Sequence, residues 1–266
     1  MQLWQVSLQK APLVGAFFFS WVVNGHAEQE CSTESYDEVA TLQKIYDGDT
    51  IRLTDGRKVR LIAINTPEMG HVERPEQAYA LKARETLRSF FSQSRVVKLK
   101  FGKEKKDRYQ RLLADVFTQD GRNVAAQLIR RGYGFAIAVP PNLWSSECYF
   151  SVEQVARQAN RGIWSHPNYL PKKASEISRE KTGFQIVEGT ITSIGESKKS
   201  IWLNLEKQFA LRINRKDLRY FENTPILALK GKRISVRGWV SFYNGKFRMS
   251  VKHPAMLKVL GLKVLD

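Results

Sequence analysis

Acid, amide and guanidinium side chains are concentrated in residues 46–68, YDGDTIRLTDGRKVRLIAINTPE, where Asp47 and Asp49 flank Gly48, Arg60 follows, and Asn65, Thr66 and Glu68 close the run. Carboxylate, amide and carbonyl oxygens suit a hard cation: Asp49 and Asn65 offer side-chain oxygens and Thr66 its carbonyl. Arg60 carries a planar, permanently charged fork that matches phosphate oxygens. Glu68 is a base able to take a proton from water. Together these groups suit phosphodiester hydrolysis. A plainer reading stays open, in which Asp47-Gly48 and Asp55-Gly56 are ordinary turns, Arg60 reaches solvent and residues 66–68 begin a loop.

The elements that must position these groups form a β-hairpin. Residues 51–53 and 58–64 are rich in β-branched and large apolar side chains, and Asp55-Gly56 between them is a two-residue turn signal. In a twisted hairpin the start of the first strand and the end of the second are neighbours. Two carboxylates, an amide and an arginine therefore converge.

The run resembles the signature of the staphylococcal nuclease (thermonuclease) family: a DGDT turn, an R-L-x-x-x-D-T-P-E strand end and a later D-x-Y-G-R. The chain has DGDT at 47–50, RLIAINTPE at 60–68 and DRYQR at 107–111, and the resemblance covers roughly residues 38–164, ending in RGIW. It implies an OB-type barrel and a Ca²⁺-dependent endonuclease acting on DNA, RNA or both. Asp49, Asn65 and the Thr66 carbonyl would hold Ca²⁺ or another divalent cation. Glu68 would be the general base, and Arg60 and Arg111 would brace the phosphate. Arg108 and Tyr109 align with positions that contact a neighbouring phosphate.

The chain departs from the family pattern at three places. Asn65 replaces an aspartate, which removes a charge from the cation ligands and weakens Ca²⁺ binding. Gln110 replaces a glycine, which matters if the backbone there needs positive φ. Ala138 and Pro140 stand where base-stacking tyrosines are usual, leaving Tyr133 or Phe135 as substitutes.

Composition fixes the class and the partner. Apolar residues make up 42% and aromatics 11% of 266 residues, enough for two modest folded domains, and a formal charge of +17 predicts a polyanion. Residues 1–27 read as a signal peptide: Lys10 precedes an apolar run over 11–23, and Gly25-His26-Ala27 resembles a cleavage site. The run is short for a bilayer span, and an uncleaved anchor is the alternative. A secreted or periplasmic protein is expected, with no stable membrane association after cleavage. The two cysteines, Cys31 and Cys148, would then pair in an oxidising compartment. Zinc has no cage, since His26, His71, His166 and His253 are scattered, and no nucleophile elbow or Walker-type loop occurs.

Along the chain, a helix is predicted from Pro75 with Ala80, Ala83, Leu87 and Phe90 on one face. Residues 95–101 and 112–117 read as strands, with a charged loop over 102–111. Asn123 caps a second helix, and a third is predicted from Ser151, with Gln154 completing a capping box, to Gly162. Five strands and three helices make an α+β, mainly β domain over 28–164. Residues 165–183 read as a linker. Five further strand-like segments over 184–266 suggest a second small OB-like barrel. Residues 181–266 carry 17 Lys plus Arg against 6 Asp plus Glu, a balance of +11, interleaved with aromatics, a composition suited to nucleic-acid binding. The alternative to an endonuclease is a catalytically silent nucleic-acid-binding protein built on two barrels. No protein partner is inferred.

Overall fold

A computed structural model describes residues 31–72, 75–206 and 208–261. The predicted signal peptide lies outside the described residues. Strands β1 (Glu38–Ile45), β2 (Thr50–Leu53) and β3 (Lys58–Leu61) form a meander. A short β4 (Ile64–Asn65), helix α1 (Ala80–Ser89), β5 (Val96–Lys106) and β6 (Leu112–Phe117) follow. The barrel closes in the order β1-β2-β3-β6-β5, with β3 and β6 parallel and every other pair antiparallel. Helices α2 (Val124–Arg130) and α3 (Ser146–Gln158) flank β7 (Phe135–Ala136), and Ile51, Leu53, Val59, Leu61, Val97 and Leu99 fill the interior.

Four local expectations need correction. The strand expected over 58–64 breaks at Ala63, whose φ of 58° turns the chain so that β4 leaves the barrel and pairs instead with β7, Asn65 opposite Phe135. The strand expected to end at 101 runs to Lys106, because the Asn142 side chain does the work of a neighbouring strand: its Oδ1 accepts from Glu104 N at 2.9 Å and its Nδ2 donates to Glu104 O at 2.9 Å. Helix α3 starts at Ser146, five residues before the expected capping box, and α1 starts at Ala80 rather than Pro75. Ser145 precedes α3 and donates to the buried Asp115 at 2.7 Å instead of capping the helix, so tertiary bonding decides that boundary.

Cys31 and Cys148 are joined, tying the segment ahead of β1 to α3 across a sequence separation of 117. Asn123 caps α2 as expected, its Oδ1 accepting from Ala126 N at 3.0 Å.

Residues 165–183 pack rather than bridge. Short 3₁₀ turns carry them past β8 (Lys172–Lys173), which pairs with β9 (Gly183–Thr190), and Ala174 and Ile177 are buried. Beyond lie β10 (Ser193–Glu196), β11 (Ser200–Asn204), β12 (Phe209–Asn214), β13 (Arg233–Tyr243), β14 (Lys246–Ser250) and β15 (Leu257–Val259). Their sheet has the order β10-β11-β12-β14-β13-β9-β8, with β15 on β13. Only Ile191 and Thr192 separate β9 from β10, and Thr192 still donates to Asn204 O at 2.8 Å. β9 and β10 are thus successive segments of one bent strand, and the order from β10 to β9, including a parallel β12·β14 pair, repeats that of the first barrel.

The two units share a buried seam. Ile137 and Ala138, which leave β7, belong to the core of the second. Glu153 of α3 and Arg237 of β13 form an ion pair with side-chain exposures of 2% and 11%. Both also bond the peptide of Ala136: its N–H donates to Glu153 Oε1 at 2.8 Å, and Arg237 Nη1 donates to its carbonyl at 3.2 Å. The pair is fully engaged, as a buried ion pair must be.

Candidate active site

The first turn of the hairpin is built around Asp49, which is only 3% exposed. Its backbone N–H donates to Asp47 Oδ1 at 2.9 Å, closing an Asx turn over Gly48. Only glycine fits at 48, since a Cβ would stand 2.7 Å from Ala83 Cβ and 2.8 Å from Thr66 Cγ2. That close approach lets Asp49 Oδ2 accept from Thr66 N at 2.9 Å and Thr66 Oγ1 at 3.1 Å, while Oδ1 accepts from Thr50 Oγ1 at 3.1 Å. Arg60 stands opposite Thr50 in the β2·β3 register and pairs with Asp49, Nη2 to Oδ2 at 3.0 Å, while Nη1 donates to Leu61 O at 2.6 Å.

Asn65 and Thr66 are buried, and Thr66 meets Asp49 through its N–H and hydroxyl. Burial first, then the Asp49 carboxylate and, further off, Glu68 push the Asp47 carboxyl up to about 7, against the Asp49 N–H and Arg60. Asp49, the Asn65 amide and the Thr66 carbonyl fit Ca²⁺ by donor type. Among the described residues no group of three or more His, Cys, Asp or Glu side chains could hold a metal ion, so a cation here would draw on amide, carbonyl and water oxygens as well.

Arg111 is fixed separately. Asp107 Oδ2 accepts from its Nε at 2.8 Å, while Oδ1 accepts from Arg111 N at 3.0 Å and Tyr109 N at 2.9 Å. Burial would raise Asp107, but these bonds and the guanidinium hold its carboxyl below the ordinary range. Gln110 has φ of 63°, so the position does require the left-handed backbone that glycine adopts freely. Arg111 keeps its bonds to Asp107 despite that substitution. The Arg108 guanidinium lies over the exposed Tyr109 ring, 4.7 Å from its centroid.

Arg60 and Arg111 line one cavity of about 650 Å³, together with Asp107, Arg108 and Tyr109. Glu68 is exposed and stands near enough to Asp47 to raise it, outside the residues that line this cavity. Its backbone is pinned by Gln77: Glu68 N donates to Gln77 Oε1 at 2.9 Å, and Gln77 N to Glu68 O at 3.1 Å.

Of the two substitutes for the missing tyrosines, Phe135 is buried and Tyr133 is half-buried. Phe135 is buried among Trp164, Tyr169 and Phe184, and Tyr133 stacks on Tyr79 with centroids 6.0 Å apart. Ala138 lies under the second barrel, its N–H 3.2 Å from Met256 Sδ. Asn142, Glu153 and Arg237 leave no signal in the sequence, since their partners lie 17 to 101 residues away.

The family described as "Staphylococcal nuclease homologue" matches residues 58–166. A protein of Escherichia coli O157:H7 named "Uncharacterized endonuclease" is 30% identical over 169 residues, covering 60% of this chain and 92% of that protein. The chain belongs to the staphylococcal nuclease family. A second family member, "Thermonuclease" of Staphylococcus intermedius, is 31% identical over 149 residues, which are 53% of this chain and 86% of that one. "Endonuclease YhcR" of Bacillus subtilis is 25% identical over 173 residues, but the match spans only 14% of that longer protein. The family match stops before β8, so the second barrel of this nuclease-family chain lies beyond it.

Proposed function

We propose that this protein is an exported, metal-dependent endonuclease that hydrolyses phosphodiester bonds of DNA, RNA or both with little sequence preference. The observation that carries the reading is the convergence of Arg60 and Arg111 on one cavity, each guanidinium held by its own aspartate, at 3.0 Å and 2.8 Å. Two pre-oriented forks can each take a non-bridging phosphate oxygen, and they stabilise the charge that grows on those oxygens as water attacks phosphorus. Such recognition reads the backbone and not the bases, which supports low sequence preference.

Glu68, ionised, would accept the proton of the attacking water, and the leaving oxygen would take a proton from solvent. Bound Ca²⁺ or another divalent cation, held by Asp49, Asn65 and the Thr66 carbonyl, would neutralise part of the phosphate charge. Asp49 serves both that site and Arg60, and therefore couples cation and arginine through one carboxylate. With Asn65 neutral, a higher concentration of cation is required than a fully acidic set would need. The Cys31–Cys148 bond supports export. The names of the relatives support endonucleolytic cleavage.

A catalytically silent binding protein is the second reading, favoured by the position of Glu68 outside the arginine-lined cavity. Digestion of DNA and RNA by the mature protein in Ca²⁺, Mg²⁺ or chelator, beside Glu68→Gln, separates the two. Metal-dependent cleavage lost in the variant is expected. Cleavage that is absent, or undiminished by Glu68→Gln, defeats the mechanism.

A further inference from the structure

The cavity that holds Arg60 and Arg111 is also lined by the second barrel, through Trp239, Ser241, Ser250 and Lys252. On β13, alternate residues from Arg237 point outward. Arg237 is spent on the seam, Trp239 and Ser241 face the cavity, and Tyr243 reaches open surface. Trp239 is 48% exposed, a large ring left in a place where it covers no core. It does not hang loose. Its ring meets Phe184 at 5.1 Å, and Phe184 meets Phe135, the residue paired with Asn65, at 5.0 Å. A chain of aromatic contacts thus fixes Trp239 relative to the catalytic hairpin.

The same outward face continues away from the cavity. Ser250 is in register with Arg212, and Arg212 with Trp202. The Arg248 guanidinium lies over both Trp202 and Tyr243, 5.4 Å and 5.0 Å from their centroids, and Arg212 is 5.8 Å from the Trp202 ring. Cations and flat rings therefore alternate along one surface that begins at the scissile position. Guanidinium and ammonium groups take phosphates, and exposed rings take unpaired bases, whose faces are hidden in a duplex. The cavity itself, of about 650 Å³, is the size of a small-ligand pocket.

We propose that the second barrel completes the substrate site: an unpaired polynucleotide strand leaves Arg60 and Arg111 with a base stacked on Trp239 and a phosphate on Lys252, then follows Arg248, Trp202 and Arg212. The idea rests on the endonuclease reading for the identity of the scissile position, but its surface can be tested without cleavage.

The test uses the full chain. Binding of a fluorescent single-stranded oligonucleotide is measured by anisotropy in chelator, for wild type, Trp239→Ala, Trp239→Phe and Lys252→Ser, with thermal melting to check the fold. Trp239→Ala should weaken single-strand binding about tenfold, and Trp239→Phe should restore most of it. Lys252→Ser should lower the salt slope by about one. The corresponding duplex should be affected far less. In cleavage assays, KM for the single strand should rise more than kcat falls. Unchanged single-strand affinity in Trp239→Ala, or equal losses on strand and duplex, overturns the proposal. Absent cleavage with weakened strand binding in the variants defeats the endonuclease reading and leaves this site standing.

Discussion

The two barrels have one topology and opposite chemistry at the same turn. In the first, the turn between the first two strands is Asp47, Gly48, Asp49; in the second, between β10 and β11, it is Ser197, Lys198, Lys199. Thr50 and Ser200 begin the next strand in each, both buried, and stand opposite Arg60 and Asn214 respectively. The first turn closes with a carboxylate accepting from the backbone, the second with Ser197 Oγ accepting from Ser200 N at 3.1 Å. Either device satisfies the backbone. The fold is therefore indifferent to which charge the turn carries, and function follows from what the turn is packed against. Asp49 is buried against Thr66 and Arg60, whereas Lys198 and Lys199 are exposed to whatever polyanion approaches.

The comparison sharpens if the barrels are perturbed one at a time. The largest effect is expected from Cys31→Ser with Cys148→Ser, because the disulfide closes a loop of 117 residues within the first unit. Loss of about 4–5 kcal/mol is expected there, with the second barrel, which has no cysteine, melting as before. Calorimetry reads both, and a uniform shift would mean that the units unfold as one.

Next comes Arg237→Met at the seam. It strands the Glu153 carboxylate in a buried site and should cost about 3–5 kcal/mol, while Arg237→Met with Glu153→Leu should recover most of it. Denaturant titration of the two variants checks this, and equal stabilities would show that the charge is not what is felt.

At the catalytic turn, Arg60→Ala should lower kcat/KM by about 10²–10³, or about 3–4 kcal/mol, whereas Asn214→Ala, at the matching place in the second barrel, should leave turnover nearly unchanged. Comparable losses would deny the division of labour between the barrels.

Asp115 gives a pH effect confined to the first barrel. Burial pushes it up to about 6, against hydrogen bonds from Ser145 and Tyr149. Tyr149 OH lies 2.9 Å from Asp115 Oδ1 and 2.8 Å from Asn123 Oδ1 but has one proton, so a protonated Asp115 that donates to Tyr149 satisfies the whole chain. A carboxyl whose folded pKa exceeds its unfolded value stabilises the fold below the unfolded pKa and loses that contribution as pH rises through the folded one. The Asp115 contribution should therefore fall by about 3 kcal/mol between about pH 4 and 6, beside a fall of the same sign from Asp47 that continues through about pH 7, and Asp115→Asn should remove the first and leave the second. Melting temperatures across that range decide it.

The smallest effect is Gln110→Gly. Relief of the left-handed backbone at φ of 63° should offset the added chain entropy and raise stability by no more than about 1 kcal/mol. A clear loss would mean that the Gln110 side chain holds the Arg111 loop.

How much was readable in advance depended on range. The hairpin, the DGDT turn, the Asn123 cap and the cysteine pair rest on neighbouring residues or on chemistry with few partners, and each was legible. The break at Ala63 was not, since RLIAIN has the composition of one continuous strand. Its turn is imposed by β7, which offers Asn65 a partner and whose neighbour Ile137 donates to Ala63 O at 2.9 Å. Nor was the start of α3, where the Ser151 capping box lost to the bond between Ser145 and Asp115.

Residue type and order determined by themselves the family signature, the two barrels and the chemical repertoire of Asp49, Arg60, Asn65, Thr66, Glu68 and Arg111, because strand periodicity and functional-group chemistry are local properties. Tertiary structure alone decided that Arg60 and Arg111 share a cavity, that Glu68 stands outside it and that Trp239 faces it. Those relations depend on contacts between residues a hundred or more apart, among them Arg237 on Ala136 and Met256 against Ala138, and such distances leave no pattern along the chain.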